Sequence, residues 1–295
     1  MSGAGVGRAA ARGIPRSADT ARPLIERRAE FRQTLLGQPE GDTVHRAAMR
    51  VRAVLVGRAI RSIEAPQERH AMERWPERLA GRAVRAVEAR GKHLLIRFEG
   101  GLTLHSHLRM GGMWGVYRHG ERWRRSLRRA WLVIHTDEHD VVQFDGPVLE
   151  LMTDARTRSD PRLARLGPDI VADEFDERAF LARLREDDQT RAIGDALLDQ
   201  RNLAGIGNIW KSEGCFAAGI DPWRPTADVT DDEALAIVRA TRPPMRESAR
   251  GARRHGGTLV YDRAGLPCRR CGTVIRGRGQ GDDNRTAYWC PSCQS

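Results

Sequence analysis

The chain has 295 residues, 40% of them hydrophobic, which is enough for a sizeable core and, by length, about two domains. No apolar run approaches the ~20 residues of a membrane helix, and the opening stretch "MSGAGVGRAAARGIPRSADT" lacks the continuous apolar segment of a secretory signal. A soluble protein of the cytoplasm is therefore expected, and a formal charge of +11 points to a polyanionic partner. Lys92 and Lys211 are the only lysines, all other positive side chains being arginine. An amine can shed its proton and attack, which a guanidinium cannot, so both lysines are candidates for chemistry.

Residues 1–38 carry Arg8, Arg12, Arg16, Arg22, Arg27, Arg28 and Arg32 among Gly, Ala and Pro, and read as a mobile basic extension with one short helix near Leu24–Leu36. The pattern then predicts a helix over Val44–Val54. From Val51 to Thr153 it predicts a largely antiparallel sandwich or barrel, with runs such as "VRAVLVGRAI", "RAVRAVEA", "KHLLIRFEG", "GLTLHSHL", "AWLVIHT", "DVVQFDG" and "VLELMT" separated by Gly and charged turns. "DARTRSDPRLARLGPDI" reads as a loop. Beyond it the period lengthens, and "DERAFLARLRE", "TRAIGDALLDQRNLAG", "GNIWKSEGCFAAG" and "DDEALAIVRATRPPMRESARGA" read as helices broken at Gly and Pro. A cysteine module starts near Leu259. The expected divisions are 1–38, 39–155, 156–258 and 259–295.

Cys268 and Cys271 in "CRRC" and Cys290 and Cys293 in "CPSC" form two knuckles 18 residues apart. That spacing fits a zinc ribbon in which each knuckle lends two thiolates to one tetrahedral Zn2+ ion, and four thiolates leave no open coordination position, so the metal is structural. The fifth, Cys215, reads as a buried apolar residue. The basic, glycine-rich stretch between the knuckles is long enough for a hairpin presenting Arg276, Arg278 or Arg285, and Arg285 stands beside the aromatic pair Tyr288 and Trp289.

In "LDQRNLAGIGNIWKSE", Gly205 and Gly207 precede Asn208 between two helical patterns, a turn through which backbone can approach a partner closely and after which a helix offers free N–H groups. Taken in chain order, "PEGDT", "RGKHLL", "SHLRMGG", "LDQRNLAGIGNIWKSE" and "TAYWCPSCQ" resemble the formamidopyrimidine-DNA glycosylase and endonuclease VIII family over residues 39–295. The "FDGPVLELMT" stretch looks more like the actinobacterial endonuclease VIII branch.

The resemblance implies an α+β multidomain protein with an N-terminal β-sandwich, a helix-two-turn-helix domain and a C-terminal zinc ribbon, and damaged DNA held between them. The implied activity is a bifunctional glycosylase and AP lyase in base excision repair, acting on oxidised bases, chiefly pyrimidines, as a monomer with no small-molecule cofactor. Pro39 would be the nucleophile, since a free N-terminal secondary amine has a pKa of about 8 and can attack the sugar C1′. Glu40 would be the general acid and Lys92 a phosphate-contacting, catalytically assisting amine. Arg109 and Met110 would enter the duplex where the base has left, although Met110 would also suit a core. Asn208 and Arg285 would clamp phosphates around the lesion. Lys211, one turn after Asn208, would lie on the DNA side or in solvent.

The sequence departs from the pattern at one point. Pro39 follows Gln38, and a proline nitrogen inside a peptide bond cannot form an iminium. The amine therefore requires a chain that begins at Pro39, through processing or a misassigned start. Otherwise the protein binds lesions without that chemistry, or uses Lys92 as a substitute.

Overall fold

The computed structural model describes residue 1 and residues 39–252 and 257–295. The basic extension and its expected helix over Leu24–Leu36 lie outside the described residues.

A helix, α1, spans Gly41–Leu55, starting three residues ahead of the expected position. Its buried stripe, Val44, Ala48, Val51 and Leu55, recurs at helical spacing, and this 3.6-residue period overrides the strand reading of the run that begins at Val51. A short strand β1 (Ser62–Glu64) and two one-turn helices, α2 (Glu68–Met72) and α3 (Trp75–Leu79), follow. Then come seven strands: β2 (Val84–Arg90), β3 (His93–Phe98), β4 (Leu102–His107), β5 (Met113–Arg118), β6 (Ala130–His135), β7 (His139–Phe144) and β8 (Val148–Thr153).

They form two four-stranded antiparallel sheets, ordered β2-β3-β4-β8 and β1-β6-β7-β5. Leu94, Ile96, Phe98, Leu102 and Leu104 of the first sheet and Leu132, Ile134 and Val141 of the second bury their apolar faces in one core shared with α1. β5 was not among the expected runs, because Gly115 and Tyr117 interrupt simple alternation, yet all six of its residues pair with β7.

The segment expected as a loop after β8 is instead helical at α4 (Asp154–Ser159) and α5 (Pro161–Ala164). Thr153 and Asp160 cap these turns through their side chains and Pro161 occupies the first turn of α5, local signals strong enough to wind a short helix without periodicity. The helical part continues with α6 (Glu177–Glu186), α7 (Ile193–Ala196), α8 (Asn208–Ala218) and α9 (Asp231–Ala249) around a second core of Phe180, Leu184, Trp210, Ile237 and Met245. Only one turn of the helix expected from "TRAIGDALLDQRNLAG" forms; the remainder is turns anchored by Asp187, Asp195 and Asp199 on Arg191. In contrast, α9 runs unbroken through Pro243 and Pro244. Each interior proline costs ~3 kcal/mol. Burial of Ile237, Val238, Thr241 and Met245 on either side, and a capping box between Thr230 and Glu233, offset that cost.

The chain closes in a hairpin of β9 (Arg276–Gln280) and β10 (Arg285–Trp289), paired antiparallel between the two cysteine knuckles.

Candidate active site and nucleic-acid interface

Three stretches distant in sequence meet at glycines. The start of α1, the β2–β3 turn and the turn before α8 approach so closely that a Cβ on Gly41 would lie 2.7 Å from the Gly205 Cα. The Gly41 N–H instead donates to the Gly205 carbonyl at 2.8 Å, and Gly205 has φ +93°, which a side chain would strain. Asp169 joins the same junction. One of its carboxylate oxygens bonds His45 Nε2 at 2.8 Å and accepts the Gly91 N–H at 2.7 Å, while the other accepts the Val171 N–H at 2.9 Å. Lys92 is thus carried on a turn fixed to the helical part of the molecule.

Glu40 sits at the centre. It precedes α1, yet its carboxylate serves α8, accepting the N–H groups of Gly207 at 3.1 Å, Ile209 at 2.8 Å and Trp210 at 3.3 Å. A carboxylate at a helix N-terminus meets unpaired donors and the positive end of the dipole. Burial acts in the other sense and is stronger. It pushes the Glu40 carboxyl up to about 7, against the pull of Lys92 and of the Ile209 and Trp210 N–H groups. Burial also lowers Lys92 to about 8, with Glu40 opposing the shift and Arg285 assisting it. A carboxyl and an amine that are both brought toward neutrality and feel each other's charge can pass protons to and from a substrate.

Arg285 opens β10, is exposed, and pairs with Asp283 at 3.2 Å. The Asn208 side chain donates to the Thr286 carbonyl at 2.8 Å, tying the first turn of α8 to the hairpin beside Arg285, and among the described residues its buried Oδ1 has no hydrogen-bond partner. Arg109 and Met110 form the tip of the β4–β5 turn. Arg109 has φ +50° and is exposed, and Met110 is 59% exposed, so the reading of Met110 as a core residue is set aside. His107, at the base of the tip, accepts the Arg109 N–H at Nδ1 and is held at about 4 by burial and by the charges of Arg109 and Lys92.

Lys211 is not in solvent, one of the two placements expected of it. It is fully buried, with its ammonium 3.3 Å from Gln280 Oε1 and its pKa lowered by burial to about 8. Lys211 shares the helix face of Asn208, and that face packs on the β9–β10 hairpin, where Gln280 also holds the Pro222 carbonyl.

Glu213, to which the sequence reading gave no chemical role, accepts the backbone N–H groups of Leu259, Val260 and Tyr261 at 2.9 to 3.1 Å and so anchors the approach to the cysteine module. Asp169 was missed because "LGPDI" read as loop; a Pro-Asp step ahead of an apolar pair is its one local mark.

The sulfurs of Cys268, Cys271, Cys290 and Cys293 lie within 4.8 Å of one another, and none is in a disulfide. A tetrahedron with Zn–S bonds of about 2.3 Å has edges of about 3.8 Å, so four converging thiols of this spacing suit one structural zinc ion. Cys215 is buried elsewhere, on α8.

A two-sheet domain, a helical domain whose glycine turn meets a buried Glu, and a four-cysteine hairpin define a DNA-lesion-processing class. The chain belongs to the formamidopyrimidine-DNA glycosylase family. Residues 38–157 match the Formamidopyrimidine-DNA glycosylase N-terminal domain, residues 166–256 its H2TH domain, and residues 265–295 the zinc finger found in FPG and IleRS. The chain is 42% identical over 267 residues to the probable endonuclease 8 2 of Streptomyces coelicolor, covering 87% of this chain and 94% of that one. It is 36% identical over 263 residues to the DNA-(apurinic or apyrimidinic site) lyase Nei2 of Mycolicibacterium smegmatis, covering 87% and 99%. Among solved structures, the Lactococcus lactis enzyme in complex with oxidised-pyrimidine DNA superposes with a TM-score of 0.73 at 25% identity, covering 87% of this chain and all of that one.

Proposed function

We propose that this protein is a DNA glycosylase and AP lyase of base excision repair that removes oxidised pyrimidines and nicks the abasic product. The observation that carries the chemistry is the Glu40 carboxyl, buried beside Lys92 and brought to about 7 while gripped by the α8 N-terminus. At that value it is protonated in a large fraction of molecules at neutral pH, as a general acid for the sugar ring oxygen must be. Released from Gln38, Pro39 is the neighbouring amine: it attacks C1′ of the flipped nucleotide, the base leaves with the electrons of its C1′–N bond, the C1′–O4′ bond opens as O4′ takes the Glu40 proton, and the amine gives up its own proton as the Schiff base forms. Lys92, Asn208 and Arg285 hold phosphates and Met110 occupies the gap in the stack, with Arg109 beside it. Lys211 has a structural role only.

The relatives named above, an endonuclease 8 and an abasic-site lyase, and the oxidised-pyrimidine complex support this reading. The DNA-handling parts follow the division 39–155, 156–258 and 259–295, and the protein works as a monomer in the cytoplasm without an organic cofactor. Among the described residues no helix is long and apolar enough to cross a membrane.

The test is borohydride trapping on a duplex carrying an oxidised pyrimidine. Residues 39–295 form a compact unit of their own, so the chain can be made to begin at Pro39. A covalent adduct is expected that is lost when the Pro39 nitrogen stays acylated by Gln38; intact binding of the chain beginning at Pro39 with no adduct refutes the mechanism. The peptide bond to Gln38 supports a second reading, a lesion binder without strand cleavage. It is separated by the same assay on the unprocessed chain, where an adduct surviving in Pro39→Ala and lost in Lys92→Ala would identify Lys92 as the amine.

A further inference from the structure

The tip that carries Met110 is built from weak parts. Gly111 and Gly112 follow the methionine, and the tip's own bonds are one from the Gly112 N–H to the Leu108 carbonyl at 2.8 Å and one from the Arg109 N–H to His107 at 3.1 Å. A wedge must resist the restacking of the bases it separates, and a glycine-rich turn held only by itself yields.

A separate segment braces it. Between β5 and β6 the chain runs out and returns through residues 119–129, anchored where Trp123 packs on Tyr117 and Phe144 with ring centroids 6.1 and 5.9 Å away. From this anchored return Arg125 donates to the Gly111 carbonyl at 2.7 Å and at the same time pairs with Asp145. Among the described residues this is the one hydrogen bond that reaches the tip from another segment. Asp145 is itself held. Arg129 bonds it at 2.9 and 2.8 Å through its guanidinium, and the Asp145 N–H donates to the Arg129 carbonyl at 3.0 Å. Asp145 adopts φ +49° to take this position, just as Arg109 adopts φ +50° at the tip. Both bonds leave Nη1 of Arg125, which stands one bond farther from the backbone than a lysine ammonium, so a lysine in its place falls short of the two acceptors.

We propose that Arg125, clamped by Asp145, is a positioning residue that keeps the Arg109–Gly111 tip rigid for insertion into a duplex, and that this brace sets the protein's preference for lesions in double-stranded over single-stranded DNA. The proposal rests on the wedge reading of Met110. A single strand has no opposing stack to hold apart, so the brace matters there only through general charge.

The test uses the full chain, so that it is independent of Pro39 chemistry. The probe is DNA with a tetrahydrofuran abasic analogue, single-stranded or paired with a strand carrying 2-aminopurine opposite the analogue. Wild type is expected to brighten the 2-aminopurine by unstacking it and to bind the duplex more tightly than the single strand. Arg125→Gln and Asp145→Asn lose most of the brightening and about tenfold in duplex affinity, with single-strand affinity within about twofold, a split that misfolding would not produce. Arg125→Lys keeps the charge and still loses the brightening. The proposal is overturned if Arg125→Gln stays bright, if both DNA forms weaken equally, or if Arg125→Lys behaves as wild type. Met110→Ala separates the two layers of the argument. A dark Met110→Ala beside a bright Arg125→Gln sinks the brace alone, and a bright Met110→Ala sinks the wedge reading and the brace with it.

Discussion

Replacing Gly207 with alanine tests the placement of Glu40 with a single methyl group. Gly207 has φ −131° and ψ −169°, an extended conformation open to any residue, so the substitution brings no backbone strain. Its Cβ would stand 2.3 Å from the Glu40 Cδ and 2.5 Å from Oε1, and ordinary contact begins at 3.4 Å, so the carboxyl must retreat by about 1 Å. That retreat loosens the bonds from the Gly207, Ile209 and Trp210 N–H groups, of which one or two lost would cost about 1.5 to 3 kcal/mol of stability. A misplacement of about 1 Å in a catalytic group costs roughly a hundredfold in rate, or about 2.7 kcal/mol of activation free energy. The assay is single-turnover borohydride trapping on an oxidised-pyrimidine duplex with the chain beginning at Pro39, beside a thermal melt. A trapping rate within threefold of wild type, at an unchanged melting temperature, would show that the α8 N-terminus does not position the acid.

Three further outcomes follow from the same geometry. Base excision should follow a bell in pH with its top between about 7 and 8, rising as the freed Pro39 amine, with a pKa of about 8, loses its proton and falling as Glu40, raised to about 7, loses the one it donates; a profile flat from pH 6 to 9 speaks against Glu40 as the acid. Lys211→Met should leave lesion binding unchanged and hold or raise the melting temperature at pH 7, since the depressed Lys211 pKa means its ammonium destabilises the fold below about 8, with that stability returning between about 8 and the unfolded value of 10.5. A tenfold loss of DNA affinity would instead make Lys211 a DNA ligand. Zinc removal by a chelator should unpin β9 and β10, weaken DNA binding and lower its salt slope by about one as the Arg285 phosphate contact is lost, while the sandwich melts as before; an unchanged slope would separate Arg285 from phosphate binding.

Local chemistry made part of this protein legible without coordinates. Two Cys-x-x-Cys knuckles have one economical use, period-two runs such as "KHLLIRFEG" become strands wherever one face is buried, and an apolar stripe at helical spacing, as in "DERAFLARLRE", becomes α6. The motif set around Pro39, Lys92, Asn208 and Arg285 was visible for the same reason, each residue lying in a short, chemically distinctive neighbourhood.

Tertiary structure decided what depends on partners far along the chain. That Glu40 caps a helix more than 160 residues downstream, that Asp169 ties the Lys92 turn to the helical part, and that Arg125 reaches Gly111 are facts of docking, with no periodicity to announce them. The same holds for Lys211 and for Pro243 and Pro244. The resemblance put the lysine on the DNA side or in solvent and propensity ended the helix at the prolines, and the packing of surrounding side chains, which exists only once the elements meet, buries the one and carries the helix through the others.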